Sequence, residues 1–347
     1  MSSSPGSMGS SPDAQSSSPD AVGSPPGSVR SSTADSGTPS AGWVLTGWGT
    51  ALPEKVVTND DLASYLDTSD AWIAERTGIR ERHVGGTTAE LAAAAGAAAI
   101  ERAGRRAEEV DFVILCTTTP DQMVPATSAD VAHRLGTTGG AMDLNAACAG
   151  FVYGVVVASS MLQAGLRRVL LVGADTLSRI TDWDDRGTAV LFADGAGAVL
   201  LERSETATGL LGWDLGVDGS ARPLLYCDHG GYMHMDGREV FRRAVRVMVS
   251  SGRTAMERAG TTADEVALCV PHQANLRIVE AANARLGIPM SRTALVMDRT
   301  GNTSAASIPL ALADAADTGR LSPGDKVLLC GFGAGMTWAS AVIEWHG

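Results

Sequence analysis

Residues 98–110, AAIERAGRRAEEV, and residues 254–266, TAMERAGTTADEV, agree at Glu, Arg, Ala, Gly and the closing Glu-Val. Each leads into an apolar run, then into a helical stretch ending HRLG (133–136) or ARLG (284–287). Asp-led segments follow, DLNAAC (143–148) and DRTGNT (298–303), and later VLLVGA (169–174) and VLLCGF (327–332). One matching octet is within reach of chance among Ala-rich helices. An ordered series at a near-constant offset is not. It predicts two α/β halves related by duplication and packed about a pseudo-twofold axis.

Working outward, short apolar runs bounded by Gly, Pro or Asp read as strands: VDFVILC (110–116), VLLVGA, AVLFADGAGAVLLE (189–202), EVALCV (265–270), TALVMD (293–298) and KVLLCGFGAG (326–335). Helical spacing marks 89–104, 127–135, 149–164, 239–259, 274–286 and 305–315. This alternation predicts an α/β protein with buried, mostly parallel strands. The expected division is 43–210 for the first half and 211–347 for the second. Residues 1–42 are roughly two-thirds Ser, Pro and Gly and read as a disordered tail.

The chain has 347 residues, 44 % hydrophobic and 19 % charged, with a formal net charge of −12. The acidic balance argues against a nucleic-acid binder. No apolar run approaches the roughly 20 residues needed to cross a bilayer, and no secretory signal pattern opens the chain. A cytoplasmic location away from the membrane is the expectation. Five cysteines without a C-x-x-C pair argue against a disulfide scaffold or zinc site. Cys116, Cys269 and Cys330 sit in apolar runs and read as core. Cys227, in a polar loop, has no role legible in the sequence.

Cys148 is different. It stands where an apolar strand ends and an uncharged helix begins, and the positive end of a helix dipole favours a thiolate. His272 follows the run EVALCV and Pro271. Asn302 follows Gly301 in DRTGNTSAAS. Taken singly, Cys148 is read equally well as a buried structural Cys, and for the other two a satisfied strand-end His and an Asn turn are the plainer explanations. The duplication changes this, because it places Cys148 and Asn302 at equivalent strand ends near the axis, where α/β sheets hold their ligands. GFGAGMTW (331–338) fits neither a dinucleotide fingerprint nor a P-loop. Its small residues suit backbone N–H groups that approach a substrate as an oxyanion hole.

The sequence resembles β-ketoacyl-(acyl-carrier-protein) synthase III, the initiating condensing enzymes of the thiolase superfamily. The resemblance rests on SDAWIAERTGIRERH (69–83), DLNAACAGF (143–151), DRGTAVLFADGAGA (185–198), PHQANLRI (271–278), GNTSAAS (301–307) and GFGAGMTW, in the family's order over 43–347. It implies a thiolase-like fold, two α/β halves in an α-β-α-β-α sandwich. It implies decarboxylative condensation of an acyl-CoA starter with malonyl-acyl-carrier protein, initiating fatty-acid or polyketide synthesis. Cys148 would carry the acyl group, His272 and Asn302 would stabilise the enolate, and the backbone N–H groups of Cys148 and Ala334 would hold the oxyanion. The resemblance also implies CoA contacts at Thr68, Trp72, Arg76, Arg186 and Asn275, no tightly bound cofactor or metal, and a homodimer.

Residues 237–260 carry six Arg against two Glu, with Arg238, Arg242 and Arg246 on one helical stripe. With Arg277 and Arg285 they are candidates for docking an acidic carrier protein. In DQMVPATS (121–128), Val124 stands where the family often has Phe, beside Met123. Both are expected at an acyl pocket, supplied there by the partner subunit. Rival readings are a papain-like thiol hydrolase, from the order Cys, His, Asn; a non-catalytic synthase subunit; and a chalcone-synthase-like enzyme using CoA esters throughout.

Overall fold

The computed structural model describes residues 42–347. The expected tail therefore lies outside the described residues, except Gly42, which opens the first strand. The first half contains β1 (Gly42–Ala51), α3 (Thr88–Arg102), β4 (Phe112–Cys116), α4 (Thr127–Leu135), β5 (Gly140–Leu144), α5 (Gly150–Gln163), β6 (Arg168–Thr176) and β7 (Asp194–Ser204). Its sheet runs β1-β7-β6-β4-β5. The second half contains β8 (Leu210–Val217), α7 (Gly237–Arg258), β11 (Val266–Pro271), α8 (Leu276–Leu286), α10 (Ser307–Asp317), β12 (Lys326–Gly333) and β13 (Thr337–Glu344). Its sheet runs β8-β13-β12-β11, the same order without the last strand.

The repeated motifs now have structural meaning. Each ERAG closes a first helix, α3 or α7, and each RLG closes a second, α4 or α8. Gly136 and Gly287 sit at φ 78° and 81°, the left-handed C-cap that a side chain resists. α3 and α4 cover the outer face of the first sheet, and α7 and α8 that of the second. α5 and α10 lie between the sheets, packing against strands of both. The layering is α-β-α-β-α, as expected. A middle layer touched on every side explains why α5 carries no charge.

Two expectations change. The sheets are mixed: β4 pairs in parallel with β5 and β6, and β11 with β12, whereas β1–β7, β6–β7, β12–β13 and β13–β8 are antiparallel. Each half turns back on itself after its parallel core, and the returning strands bury as completely as the parallel ones. TALVMD is not a strand. Thr293 makes one isolated bridge to Cys269, and α9 (Met297–Thr300) begins within the run. The buried Gln273 side chain takes over the missing ladder. It donates from Nε2 to Pro271 O (2.6 Å) and Ala294 O (3.2 Å), and accepts from Val296 N at Oε1 (3.0 Å).

A cap over one end of the sandwich comprises β2 (Val56–Thr58), α1 (Asn59–Ala63), α2 (Asp70–Thr77), β3 (Glu81–His83), α6 (Arg186–Ala189) and the hairpin β9–β10 (Leu225–Cys227, Met233–Met235). Its apolar cluster includes Leu62, Ile73, Ile79, Leu191, Phe192 and Val279. Among the described residues no helix is long and apolar enough to cross a membrane.

Candidate active site

Cys148 lies one residue before the N-cap of α5, at the end of a turn that leaves β5. Asn145 Oδ1 accepts from Ala147 N (3.1 Å), and Thr337 Oγ1 donates to Ala146 O (2.9 Å). Ala147 is held at φ 49°, a conformation unusual for a residue with a Cβ. β12 packs directly against this turn. A Cβ on Gly333 would stand 2.5 Å from Cys148 N, so only glycine fits there.

His272 follows β11 directly, and its backbone N donates to Cys330 O at 2.8 Å. The ring is buried edge-on to Phe332, with centroids 5.3 Å apart, and Nδ1 has no hydrogen-bond partner. Asn302 comes after α9, not at the end of a strand as expected. It is fixed by two backbone bonds across the halves, Asn302 N to Leu191 O and Ala193 N to Asn302 O, both 2.9 Å. Its Oδ1 accepts from Ser304 N at 3.0 Å, which leaves the NH₂ group available to a ligand.

Two cavities meet at Cys148. One, of about 120 Å³, is lined by Cys148, His272, Asn302, Asn275, Phe332 and Phe241 among others. Asn275 caps α8 and Phe241 lies in the first turns of α7, so this cavity opens between the N-terminal ends of two helices. The second, of about 390 Å³, runs along Thr118, Leu225, Tyr226, Cys227, Met233 and Ala334. Ala334 thus stands in the cavity with Cys148, where the oxyanion expectation needs it. Cys227 gains a place that the sequence did not suggest, on the wall facing the Cys148 turn.

The electrostatics reverse one expectation. The helix start was expected to favour a thiolate, but burial pushes the Cys148 thiol up to about 12. The Ser304 hydroxyl opposes that shift, and the charge of Asp175 adds to it. Burial also holds His272 down at about 3. The resting pair is therefore a neutral thiol and a neutral imidazole. Desolvation of both charged forms outweighs the dipole.

At the mouth, α2 packs against α8. The Arg76 and Arg186 guanidinium carbons lie 4.4 and 4.8 Å from the Trp72 ring centroid. Arg186 Nη1 also donates to Asp67 O at 2.7 Å. The Thr68 hydroxyl is buried without a partner. Arg277 is exposed above Phe241 (5.8 Å) beside the mouth, and Arg242 pairs with Glu239 at 2.7 Å. Arg285 lies two helical turns further along α8, where its carbonyl accepts from Arg253, in a groove that Arg246 also lines.

Met123 and Val124, expected at the pocket of a partner subunit, are 83 % and 84 % exposed and line neither cavity of their own chain. Among the described residues no cluster of His, Cys, Asp and Glu suits a metal.

Comparison with known proteins agrees with this geometry. The profile of 3-oxoacyl-[acyl-carrier-protein] synthase III matches residues 142–219, and that of its C-terminal region matches 256–345. Beta-ketoacyl-[acyl-carrier-protein] synthase III of Roseiflexus sp. (strain RS-1) is 50 % identical over 321 residues, covering 87 % of this chain and 98 % of that protein. Synthase III 2 of Streptomyces coelicolor is 51 % identical over 315 residues, covering 88 % and 95 %. The crystal structure of the Aquifex aeolicus synthase III superposes with a TM-score of 0.86 at 42 % identity, covering 88 % of this chain and all of that one. The priming β-ketosynthase of the R1128 polyketide pathway gives 0.84 at 34 %, covering 90 % and 99 %. A duplicated thiolase-like sandwich is no thiol protease, and the chain belongs to the β-ketoacyl-[acyl-carrier-protein] synthase III family of condensing acyltransferases.

Proposed function

We propose that this enzyme joins an acyl-CoA starter to malonyl-acyl-carrier protein through an acyl group carried on Cys148. The observation that carries the reading is the position of Cys148 on the shared wall of two cavities, one of which is also lined by His272 and Asn302. In the first step Cys148 Sγ attacks the thioester carbonyl, and CoA departs as a thiol with the Cys148 proton. The backbone N–H groups of Cys148 and Ala334 receive the oxyanion, and the acyl chain extends along Leu225, Tyr226 and Met233.

In the second step malonyl-carrier protein enters by the same mouth. Its bond to the carboxylate breaks, carbon dioxide leaves, and the electron pair forms an enolate. The enolate carbon attacks the acyl-Cys carbonyl, and Cys148 departs and recovers a proton. Both steps place negative charge on an oxygen that needs fixed donors. For the enolate a neutral imidazole and an amide NH₂ supply them, and an amide cannot act as a base.

The CoA nucleotide is proposed to rest on Trp72, replacing a guanidinium on the indole, with Thr68, Arg76 and Arg186 around it and Asn275, in the wall of the inner cavity, against the pantetheine arm. Arg242 and Arg277 lie nearest the mouth and suit an acidic carrier protein, with Arg285 at the far end of the patch. The exposed Met123 and Val124 are proposed to cap the cavity of a second copy in a homodimer. The test is intact-mass detection of the acyl-enzyme across a panel of acyl-CoAs. Cys148→Ala should show no acyl mass shift while keeping its fold, and a persisting shift would remove Cys148 from the role. Extension by malonyl-CoA as fast as by the carrier-bound donor would favour the chalcone-synthase-like reading.

A further inference from the structure

Asp175, near the end of β6, is fully buried and makes no ion pair among the described residues. Such a carboxylate is costly unless donors surround it. Its Oδ1 accepts from Thr117 Oγ1 (3.0 Å), Thr118 N and Oγ1 (2.7 and 3.0 Å), and Thr119 N and Oγ1 (3.1 and 2.8 Å). Its Oδ2 accepts from Ala305 N at 3.1 Å. The two oxygens thus face different halves. The threonine loop follows β4, and Thr118 lines the Cys148 cavity. Ala305 belongs to the turn Ser304–Ala306, and it follows Ser304, whose N–H holds the Asn302 side chain and whose φ is 51°.

Gly173, two residues earlier on β6, makes room for this turn. A Cβ there would stand 2.2 Å from Ala305 O. An asparagine at 175 would serve the threonine loop equally well through its oxygen. Only a carboxylate offers a second acceptor to the opposite half. We infer that Asp175 is a positioning residue that clamps the Asn302–Ala305 turn to the Thr117–Thr119 loop, fixing where the Asn302 amide stands relative to Cys148. The inference rests on the reading of Asn302 as a donor in the malonyl step.

Asp175→Asn tests it. With the amide oxygen kept toward five donors, the NH₂ group must face Ala305 N–H, donor against donor, and the turn is released. The negative charge that disfavours the Cys148 thiolate is removed at the same time. The two half-reactions should therefore separate. Acylation of Cys148 by acetyl-CoA, followed by intact mass, should run at or above the wild-type rate. Carbon dioxide release from malonyl-carrier protein by pre-acylated enzyme should fall at least tenfold. Thermal unfolding establishes that the variant is folded. If it is not, Thr117→Val removes one hydroxyl donor to Oδ1 without changing side-chain shape, loosens the same clamp from the other half, and should give the same split in smaller measure. Wild-type carbon dioxide release, or equal loss of both half-reactions, would overturn the inference. Asn302→Ala is the control: if it releases carbon dioxide at the wild-type rate, the reading of Asn302 fails instead.

Discussion

β5 and residues 293–296 occupy corresponding places in the two halves, yet they are held by different means. β5 pairs with β4 over five residues, and the turn to Cys148 leaves from its end. Residues 293–296 make one bridge to β11 and rely on the Gln273 side chain. Loss of the ladder frees the chain to enter α9 early and bring Asn302 against Leu191 and Ala193 of the other half. A duplicated fold thus gains two chemistries by loosening one copy. The nucleophile side leaves a fully paired strand, whereas the donor side leaves a segment held by a buried amide and is then pinned to the other half by two backbone bonds.

The sharpest way to break this division is to remove the donors. His272→Ala and Asn302→Ala should each lower carbon dioxide release on the order of 10²–10³-fold while still allowing acylation of Cys148. Stopped-flow or radiolabel assays of the separate steps would show this. A variant that condensed at near wild-type speed would dissolve the asymmetry between the halves.

Gln273→Leu probes the substitute ladder. It leaves Pro271 O, Ala294 O and Val296 N without the partner they have now, and should cost about 3 kcal/mol in denaturant unfolding. A loss below about 1 kcal/mol would mean that the segment is held by packing alone.

The two halves should also fail at opposite ends of the pH scale. Native His272 stays neutral down to about pH 3, whereas an unfolded imidazole takes a proton below about 6.5. Its burial therefore favours unfolding increasingly as pH falls from about 6.5, by up to about 1.4 kcal/mol per unit. Native Cys148 keeps its proton to about pH 12, whereas an unfolded thiol loses it above about 8.5. That penalty grows as pH rises instead. Unfolding curves of His272→Gln and Cys148→Ala should each flatten one limb and leave the other.

The smallest expected effect is at the surface. Arg277→Glu should raise KM for malonyl-carrier protein severalfold and weaken its salt dependence, with little change for a malonyl-pantetheine surrogate. Equal losses with both donors would make the arginine structural.

Much of this was legible because buried strands read as continuous apolar runs and because the helix caps repeat with the duplication. β1, β8 and β13 escaped notice because Trp, Gly, Ser and Thr interrupt their apolar pattern (GWVLTGWGTA, LLGWDLGV, TWASAVIE). TALVMD has a strand's composition, and nothing within it announces that Gln273 will take its hydrogen bonds. The protonation of Cys148 was misjudged because a helix start is local, while burial is set by both halves at once. Cys227 and Asp175 gain their places only through neighbours distant in the chain.

The disfavoured charge on Cys148 has a chemical consequence outside the catalytic cycle. Alkylating reagents and peroxides attack thiolates, not thiols. Desolvation pushes the Cys148 thiol up, so the protonated form dominates at rest. The side chain is half-exposed on the wall of two cavities, so it is reached easily while its charged form is disfavoured. Shape fitted to the two cavities is therefore a handle on this site that does not depend on the charge of the thiol.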